Sequence, residues 1–370
     1  MFYHRHMRVV LYTAALLASL TFSSQLGAAS VSLPSFNVDL KQTSVSGLSS
    51  GGFMAVQFEV AYSSTLKGAG VIAGGPYFCA RNDLAKAMTI CSCTGPLDTC
   101  QVRNGGTGIH QLIRVTNKNE RDGKIDPTSN LSNHRVFMFS GTKDTVVPQP
   151  VMNDLQAYYK NFINTTNIKY QKDIPAHHAM PTDSFGSRCF QYASPFINNC
   201  GFDAAGALLK HIYGSLNPRN TRPLSGSFIE FDQSEFIADP NAHSMDDTGW
   251  IYVPASCHRR EKCKVHVVFH GCKQGHKDVG SKFIENAGYN QWADTNHIIV
   301  LYPQVIQVST FISPNPFAAI DPNNTNPKGC WNWWGYDGDS DYATKAGRQM
   351  AAVRAMLDRI AGSSAASPLQ

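Results

Sequence analysis

Residues 47–51, Gly-Leu-Ser-Ser-Gly, restrict the possible folds of this chain more than any other feature. Apolar and polar residues alternate over 38–45, as in a strand, and apolar residues recur at helical spacing over 53–62. A Gly-x-Ser-x-Gly turn between a strand and a helix needs residues without side-chain bulk beside the serine. It exposes the hydroxyl of Ser49 above a sheet and turns the N–H of Ser50 toward the same space. The alternative is a glycine-rich surface turn, but these flanks predict that Ser49 is a nucleophile.

Strands and helices alternate along most of the chain. We predict strands at 38–45, 69–73, 135–140, 168–174, 250–253, 264–269 and 297–302, a hairpin arm at 227–236, and helices at 53–62, 152–163, 203–213, 289–295 and 342–360. Strands separated by helices imply a mostly parallel sheet with helices on both faces. No repeat or long linker interrupts the pattern, so we expect one α/β domain over residues 30–370.

Residues 1–29 have the layout of a secretory signal peptide. Arg5 and Arg8 precede an apolar run over 9–22, and small residues follow at 27–29. The run is shorter than the roughly 20 residues of a membrane-spanning helix, so an N-terminal anchor is the weaker alternative. No later segment approaches that length. We therefore expect a soluble exported domain without a membrane partner, either secreted or retained in a periplasm.

The ten cysteines all follow the predicted signal peptide, and their number is even. In an exported protein this indicates disulfides, because the alternative of a zinc site lacks any Cys-x-x-Cys spacing. Local pairs are plausible for Cys189–Cys200 and Cys257–Cys263, and a pair Cys272–Cys330 is then possible. The residues alone do not pair the remaining four, Cys79, Cys91, Cys93 and Cys100.

Charge and acidic clusters indicate neither a cofactor nor a charged partner. The formal net charge of +5 is scattered, which is not the footprint of a nucleic-acid or membrane surface. Asp337, Asp339 and Asp341 have the spacing of calcium ligands, but an EF-hand loop would need glycine and glutamate where Tyr342 and Arg348 stand. Acids at a helix N-terminus explain the cluster. We expect no metal and no cofactor.

A serine nucleophile needs a base and a carboxylate that orients it. In folds with this turn the chain order is serine, acid, histidine. Asp144 lies just past the strand predicted at 135–140, at the edge where the carboxyl ends of parallel strands meet, although aspartate also fills Asx turns. The strand predicted at 168–174 leads to the adjacent His177 and His178. The residues alone do not choose between these two histidines.

The strand predicted at 264–269 is followed by His-Gly at 270–271. This dipeptide resembles a loop whose backbone N–H completes an oxyanion hole, but such a loop ordinarily precedes the nucleophile, whereas here it lies far downstream of Ser49. The last third of the chain supplies, in order, the parts expected before the elbow and ends after the helix at 342–360. This order predicts a circularly permuted hydrolase fold whose mature termini lie close together.

Five motifs occur in order along the chain. They are Gly47-Leu48-Ser49-Ser50-Gly51-Gly52, Gly141-Thr142-x-Asp144, His178-x-x-Pro181-Thr182, His270-Gly271-Cys272-x-Gln274 and Cys330-Trp331-Asn332-Trp333. Together they resemble the extracellular poly(3-hydroxybutyrate) depolymerases of the α/β-hydrolase superfamily. Their order is similar to that of the circularly permuted, single-domain type known from a fungus. Many bacterial members add a linker and a polymer-binding domain, which we do not recognise in this chain.

The resemblance implies three catalytic residues and two oxyanion donors: Ser49 as nucleophile, Asp144 as acid and His178 as base, with the N–H groups of Ser50 and Cys272 as donors. It favours His178 over His177 because the family's histidine stands three residues before Pro-Thr. By the same analogy, Cys272 pairs with Cys330 and Trp331 lines the cleft. The implied substrate is poly(3-hydroxybutyrate) or a related short-chain polyhydroxyalkanoate or oligomer, with no protein partner.

Two other functions fit part of the pattern. A secreted carboxylesterase acting on acetylxylan or feruloyl esters of plant cell walls carries related motifs, and the products released would separate it from a polyester hydrolase. A non-catalytic adhesin on a decayed hydrolase scaffold is a different class. The complete set of serine, aspartate and histidine argues against the adhesin.

Overall fold

The computed structural model describes Met1 and residues 31–96, 98–309 and 325–362. Apart from Met1, the predicted signal peptide lies outside the described residues. Within these ranges, no helix has both the length and the apolar character needed to cross a bilayer.

In this part of the chain, eight strands form one large sheet and three short strands form a second. The strands are β1 Thr43–Leu48, β2 Leu66–Ile72, β3 Arg135–Phe139, β4 Ile168–Gln171, β5 Met180–Thr182, β6 Ser187–Arg188, β7 Ile197–Asn199, β8 Ser227–Asp232, β9 Thr248–Val253, β10 Lys264–Phe269 and β11 Ile298–Tyr302. The order in the large sheet is β4-β3-β2-β1-β10-β11-β9-β8, and in the small sheet β5-β7-β6. From β4 to β11 the neighbours are parallel, and β9 and β8 are antiparallel. The prediction of a mostly parallel sheet is confirmed.

Helices connect most of these strands. They are α1 Ser50–Ala61, α2 Leu84–Thr89, α3 Ile109–Arg121, α4 Gln149–Tyr159, α5 Ala204–Tyr213, α6 Ala255–His258, α7 His276–Val279, α8 Lys282–Asn286, α9 Tyr289–Thr295 and α10 Arg348–Ile360. Every residue of α1 is buried. This helix follows the Gly-x-Ser-x-Gly turn, so the turn is anchored by a helix that is buried along its whole length.

The large sheet is covered on both faces. Along β10, Val267 and Phe269 belong to one buried apolar cluster, whereas Val268 belongs to another. Successive residues of a strand point to opposite faces, so the two clusters are the two sides of the sheet. Helices α1, α4 and α10 contribute to the first cluster, and α5, α8 and α9 to the second. Such double burial is typical of parallel sheets and confirms the predicted helices on both faces.

The two ends of the described domain meet. The main-chain N–H of Phe36 donates to the carbonyl of Ile360 at 2.8 Å. The N-terminal strand β1 lies at the centre of the sheet, between β2 and β10. Read from β8, the strands of the second half of the chain come first and those of the first half follow. This arrangement agrees with the predicted circular permutation, which stays a prediction.

All ten cysteines are paired. The disulfides are Cys79–Cys91, Cys93–Cys100, Cys189–Cys200, Cys257–Cys263 and Cys272–Cys330. The first two, which the sequence left open, lie in the segment between β2 and α3 that carries α2. The third joins the residue after β6 to the residue after β7.

Candidate active site

Ser49 lies in a sharp turn between β1 and α1. Its φ of 59° and ψ of −124° are strained for a residue with a side chain. A Cβ on Gly47 would overlap the carbonyl of Gly51, and a Cβ on Gly51 would overlap the carbonyls of Phe269 and His270. Glycine is therefore required at both positions, because the turn packs against the end of β10.

The side chain of Ser49 is half-buried at the edge where the parallel strands end. Its main-chain carbonyl accepts the N–H of Phe53 at 3.0 Å and begins α1. Among the described residues, its hydroxyl makes no hydrogen bond. Catalytic hydrogen bonds are often long before substrate binds, so this geometry leaves the hydroxyl available to a base.

His178 and Asp144 form a buried pair beyond the ends of β4 and β3. Nδ1 of His178 lies 2.8 Å from Oδ2 of Asp144. Oδ1 of Asp144 accepts the main-chain N–H groups of Val146 at 2.8 Å and Val147 at 2.9 Å. An ionised carboxylate only accepts, so Nδ1 of His178 carries the proton and Nε2 is left as an acceptor. This is the tautomer that a general base needs.

The pair and Ser49 border the same space. Val146 and Val147, which hold the carboxylate of Asp144, also line the cavity onto which Ser49 opens. The structure thus gathers the predicted acid and histidine at the sheet edge that carries the predicted nucleophile.

The loop after β10 lies against this turn. A Cβ on Gly271 would come within 3.4 Å of both the Cβ of Ser49 and the carbonyl oxygen of Leu48. The N–H groups of Ser50 and Cys272 have no acceptor within the described ranges, and both residues line the cavity. Two free N–H groups beside a serine hydroxyl are what a developing oxyanion requires.

A buried histidine supports that loop. Nδ1 of His270 lies 2.7 Å from the carbonyl of Gly271, and Nε2 accepts the N–H of Val305 at 3.2 Å. A carbonyl can only accept and an N–H can only donate, so the ring is neutral with its proton on Nδ1. Burial lowers the pKa of His270 to about 4, which keeps this arrangement at neutral pH.

The disulfide between Cys272 and Cys330 ties the same loop to an aromatic segment. The prediction that Trp331 lines the cleft is wrong, because its side chain is wholly buried. Its ring packs on Phe269 and His270, with centroids 4.9 and 5.8 Å apart. Trp331 therefore supports the loop from within the core and does not face a substrate.

An apolar cavity of about 300 Å³ opens beside Ser49. In its wall, Phe53 and Trp333 stack with ring centroids 4.0 Å apart and planes 11° apart. Trp334 adds a second indole, and neither indole N–H has a hydrogen-bond partner within the described residues. Among the described residues that line the cavity, only Lys328 has a charged side chain. Such a cavity favours an uncharged, largely apolar ligand.

The sequence did not predict a further part of the cavity wall. It is formed by Leu84, Ala87 and Met88 of α2, a helix too short to show a clear period. The available signal was the cluster of four cysteines around it, since Cys79–Cys91 and Cys93–Cys100 hold this segment in place.

Known proteins resemble the chain over most of its length. A poly(3-hydroxybutyrate) depolymerase of Delftia acidovorans is 47% identical over 336 residues, which are 90% of this chain and 62% of that relative. A polyhydroxybutyrate depolymerase of Talaromyces funiculosus is 43% identical over 344 residues, which are 90% of this chain and 95% of that relative. The chain thus spans less than two thirds of the first relative's length and nearly all of the second's. No family model matches the chain.

Solved structures resemble it as well. A structure of a PHB depolymerase with a serine-to-alanine substitution, in complex with an R3HB trimer, has a TM-score of 0.77 at 41% identity and covers 90% of this chain and 99% of its own. The crystal structure of PHB depolymerase from Penicillium funiculosum has a TM-score of 0.75 at 40% identity, with the same coverage of 90% and 99%.

Proposed function

Since this chain belongs to the poly(3-hydroxybutyrate) depolymerase family, we propose that it hydrolyses the ester bonds of poly(3-hydroxybutyrate), of related short-chain polyhydroxyalkanoates or of their oligomers. The proposal rests on the groups that surround Ser49. The strained serine stands at an apolar cavity, beside two unpartnered main-chain N–H groups and a buried histidine–aspartate pair. This arrangement suits acyl transfer from an uncharged ester.

In the proposed mechanism, Ser49 attacks the carbonyl carbon of an ester. Nε2 of His178 takes the proton of the hydroxyl, and Asp144 holds the ring and stabilises the imidazolium that forms. The N–H groups of Ser50 and Cys272 donate to the oxyanion of the tetrahedral intermediate. His178 then gives its proton to the leaving hydroxyl oxygen of the polymer chain, which departs and leaves an acyl-enzyme.

The second half of the reaction repeats these steps with water. His178 takes a proton from a water molecule, whose oxygen attacks the acyl carbon of the Ser49 ester. The same two N–H groups stabilise the second oxyanion. Collapse of this intermediate returns the proton from His178 to Ser49 and releases a hydroxyacid or an oligomer. The chemistry of these side chains needs no cofactor.

The cavity supports a polyester substrate. A polyhydroxyalkanoate offers methyl or short alkyl branches and ester carbonyls but no charge along its length. The stacked rings of Phe53 and Trp333 would bury the branches, which is favourable by about 25 cal/mol per Å² of apolar surface.

Export is part of the proposal. Five disulfides form and persist in an oxidising compartment, which agrees with the predicted signal peptide at residues 1–29. A polymer that lies outside the cell is also reached only by an exported enzyme. Assaying culture medium and periplasmic fraction for ester hydrolysis would distinguish secretion from retention.

The substrate is tested by clearing of a poly(3-hydroxybutyrate) suspension by the purified protein, with release of 3-hydroxybutyrate measured in parallel. We expect clearing, and we expect Ser49→Ala and His178→Ala each to lower ester hydrolysis by about 10,000-fold. Ser132→Ala, at an exposed serine, is the matched control and should keep full activity.

Two results would contradict this function. Undiminished activity in Ser49→Ala would remove the site assignment altogether. Release of acetate from acetylxylan or of ferulate from feruloyl esters, without release of 3-hydroxybutyrate from polymer, would identify a plant cell-wall esterase instead.

A further inference from the structure

His177, the neighbour of the proposed base, is held in a defined protonation state. Its Nδ1 lies 2.7 Å from the main-chain nitrogen of His178. A main-chain N–H can only donate, so Nδ1 of His177 is the acceptor and carries no proton. The ring is then neutral with its proton on Nε2, which lies 3.4 Å from Oγ1 of Thr145, the residue after Asp144. His177 therefore contacts both the base and the segment that carries the acid.

The ring of His177 is also fixed from its other side. It stacks on Tyr192, with centroids 5.2 Å apart and planes 26° apart. The main-chain N–H of His177 donates to the carbonyl of Cys189 at 2.8 Å. Both partners belong to the segment closed by the Cys189–Cys200 disulfide. Because the ring and the main chain of His177 are both fixed, the N–H of His178 that binds its Nδ1 is fixed as well.

We propose that His177 is a positioning residue whose neutral ring holds the main chain of His178, and that its protonation releases the base. This inference rests on the proposed function, in which His178 moves the proton of Ser49. When Nδ1 is protonated, it faces the N–H of His178 with a second donor, so the bond is lost and the ring must move. The consequence is a lower kcat, because the base is misplaced while the substrate cavity is unchanged.

The charges around His177 agree with this role. Burial lowers the pKa of His177 below the ordinary histidine value, and the nearby His178 lowers it further, against the opposing effect of Asp144. Tyr192, the other titratable group against the ring, is neutral at these pH values. During catalysis His178 becomes positively charged, and a neutral His177 avoids placing a second positive charge beside it.

Two substitutions separate the acceptor from the ring. His177→Phe keeps an aromatic ring to stack on Tyr192 but removes the acceptor. His177→Asn loses the stacking but places an amide oxygen close to the position of Nδ1. With p-nitrophenyl butyrate as a soluble ester, we expect His177→Phe to lower kcat about tenfold with KM within about twofold, as for one lost hydrogen bond at a reacting centre. His177→Asn should keep most of the native kcat.

The pH profile gives the second readout. In the native protein, protonation of His177 adds to the loss of activity in acid, so log kcat should fall more steeply than in a variant without this imidazole. In His177→Asn that contribution is absent, and the acid limb should be shallower by up to about one proton. A substitution that merely loosens the fold would not change the number of protons in this limb.

The controls keep this inference distinct from the proposed function. His258→Phe changes an exposed histidine at the opposite edge of the sheet and should leave kcat and the acid limb as they are. Native kcat in His177→Phe, equal losses in His177→Phe and His177→Asn, or acid limbs of equal steepness in the native protein and His177→Asn would each overturn the role of His177. Activity persisting in Ser49→Ala would instead overturn the proposed function.

Discussion

Gln274 uses its whole side-chain amide to join two loops of the candidate site. Oε1 accepts the N–H of Gly271 at 2.8 Å, and Nε2 donates to the carbonyls of Pro195 and Phe196 at 3.0 Å each. Gly271, the residue of the first contact, directly precedes the proposed oxyanion donor Cys272. The other two reach the segment that packs against the proposed base. One buried residue thus fixes the distance between two parts of the proposed machinery that lie far apart in the chain.

We expect Gln274→Met to lower kcat about tenfold or more and to leave KM nearly unchanged. Methionine has a similar length but no amide, so the oxyanion loop loses a main-chain contact, and displacing one oxyanion donor costs up to about 100–1,000-fold. Asn296→Leu is a matched control. Asn296 is also buried and makes the same pattern of bonds, to the N–H and carbonyl of Asn217 and the carbonyl of Trp292, just before β11 and so at the end of the sheet away from the site.

Kinetics on p-nitrophenyl butyrate and thermal unfolding of both variants check this expectation. Both substitutions should lower Tm to a similar degree, since both leave buried main-chain groups unpaired. A fall in kcat of the same size in both variants would show that Gln274 acts on stability alone.

Strands β1 and β10 carry the proposed nucleophile and the proposed oxyanion loop, and one histidine bridges them. Nδ1 of His266 on β10 lies 2.6 Å from Oγ of Ser44, and Nε2 lies 2.8 Å from Oγ of Ser46, both on β1. Ser44 and His266 are directly opposite in the parallel pairing. Since both strands end at the site, a bridge between them also sets how the serine and the oxyanion loop meet.

This bridge should make stability depend on pH. Burial lowers the pKa of His266 to about 3, whereas an unfolded histidine titrates near 6.5. Below about pH 6.5, the imidazole of His266 binds a proton in the unfolded chain but not in the folded protein. The free energy of unfolding therefore decreases by about 1.4 kcal/mol per pH unit. The loss from this residue is complete only below about pH 3, and between about pH 6.5 and 4.5 it amounts to ~2–3 kcal/mol.

Urea denaturation over that pH range checks this expectation in the native protein and in His266→Gln. The amide does not titrate, so the acid slope of the variant should be shallower by about one proton, while His270 still contributes a slope of its own. His258→Gln, at an exposed histidine, should keep the native slope. An unchanged slope in His266→Gln would mean that His266 is not neutral in the folded protein.

At the scale of elements, the sequence predicted the strands and helices that show a clear local periodicity of apolar residues. It did not predict the elements and boundaries that depend on tertiary contacts. Most strands of the large sheet were predicted because they are buried and apolar. However, β1 begins at Thr43 and not at 38, because the turn Leu40–Gln42 interrupts the alternation and Val38 forms an isolated bridge with Cys263. Helix α3 was missed because it is mostly polar, with Leu112 and Thr116 as its buried residues.

At the site, local signals placed the proposed serine and acid, because each follows a predicted strand. Local patterns did not choose between the two adjacent histidines; the family resemblance favoured His178, and the structure places that residue against Asp144. The orientation of Trp331, Trp333 and Trp334 was also beyond the sequence. Three aromatic residues in one short segment differ in exposure only through what packs against each, and here the end of β10 buries Trp331.

For the whole molecule, the order of the strands and the contact between the chain ends have one common explanation. Phe36 bonds to Ile360, and a Cβ on Gly362 would lie 3.8 Å from the Cβ of Ser35. A chain in which these ends were joined would follow the order of the sheet from β8 to β4, except that β10 and β11 exchange places. We infer that the present start of the domain, before β1, is an opening in such a chain at an exposed connection.

Rejoining the chain tests this inference. The variant links Gly362 to Ser35 through about four glycine-rich residues, which span the short gap, and opens new ends between Thr221 and Arg222. These two residues are exposed in the connection from α5 to β8, and the cut sacrifices the local bond from the N–H of Arg222 to Asn220. Exported into an oxidising compartment, it should form the same five disulfides and keep kcat within about threefold and Tm within about 5 °C of the native-order chain trimmed to residues 35–362, because both lack the buried Leu33 and otherwise keep the same packed neighbours. The native-order chain trimmed to residues 35–362 is the control. If that control folds and the rejoined chain does not, folding requires the chain ends to be at their present positions, and the inference is wrong.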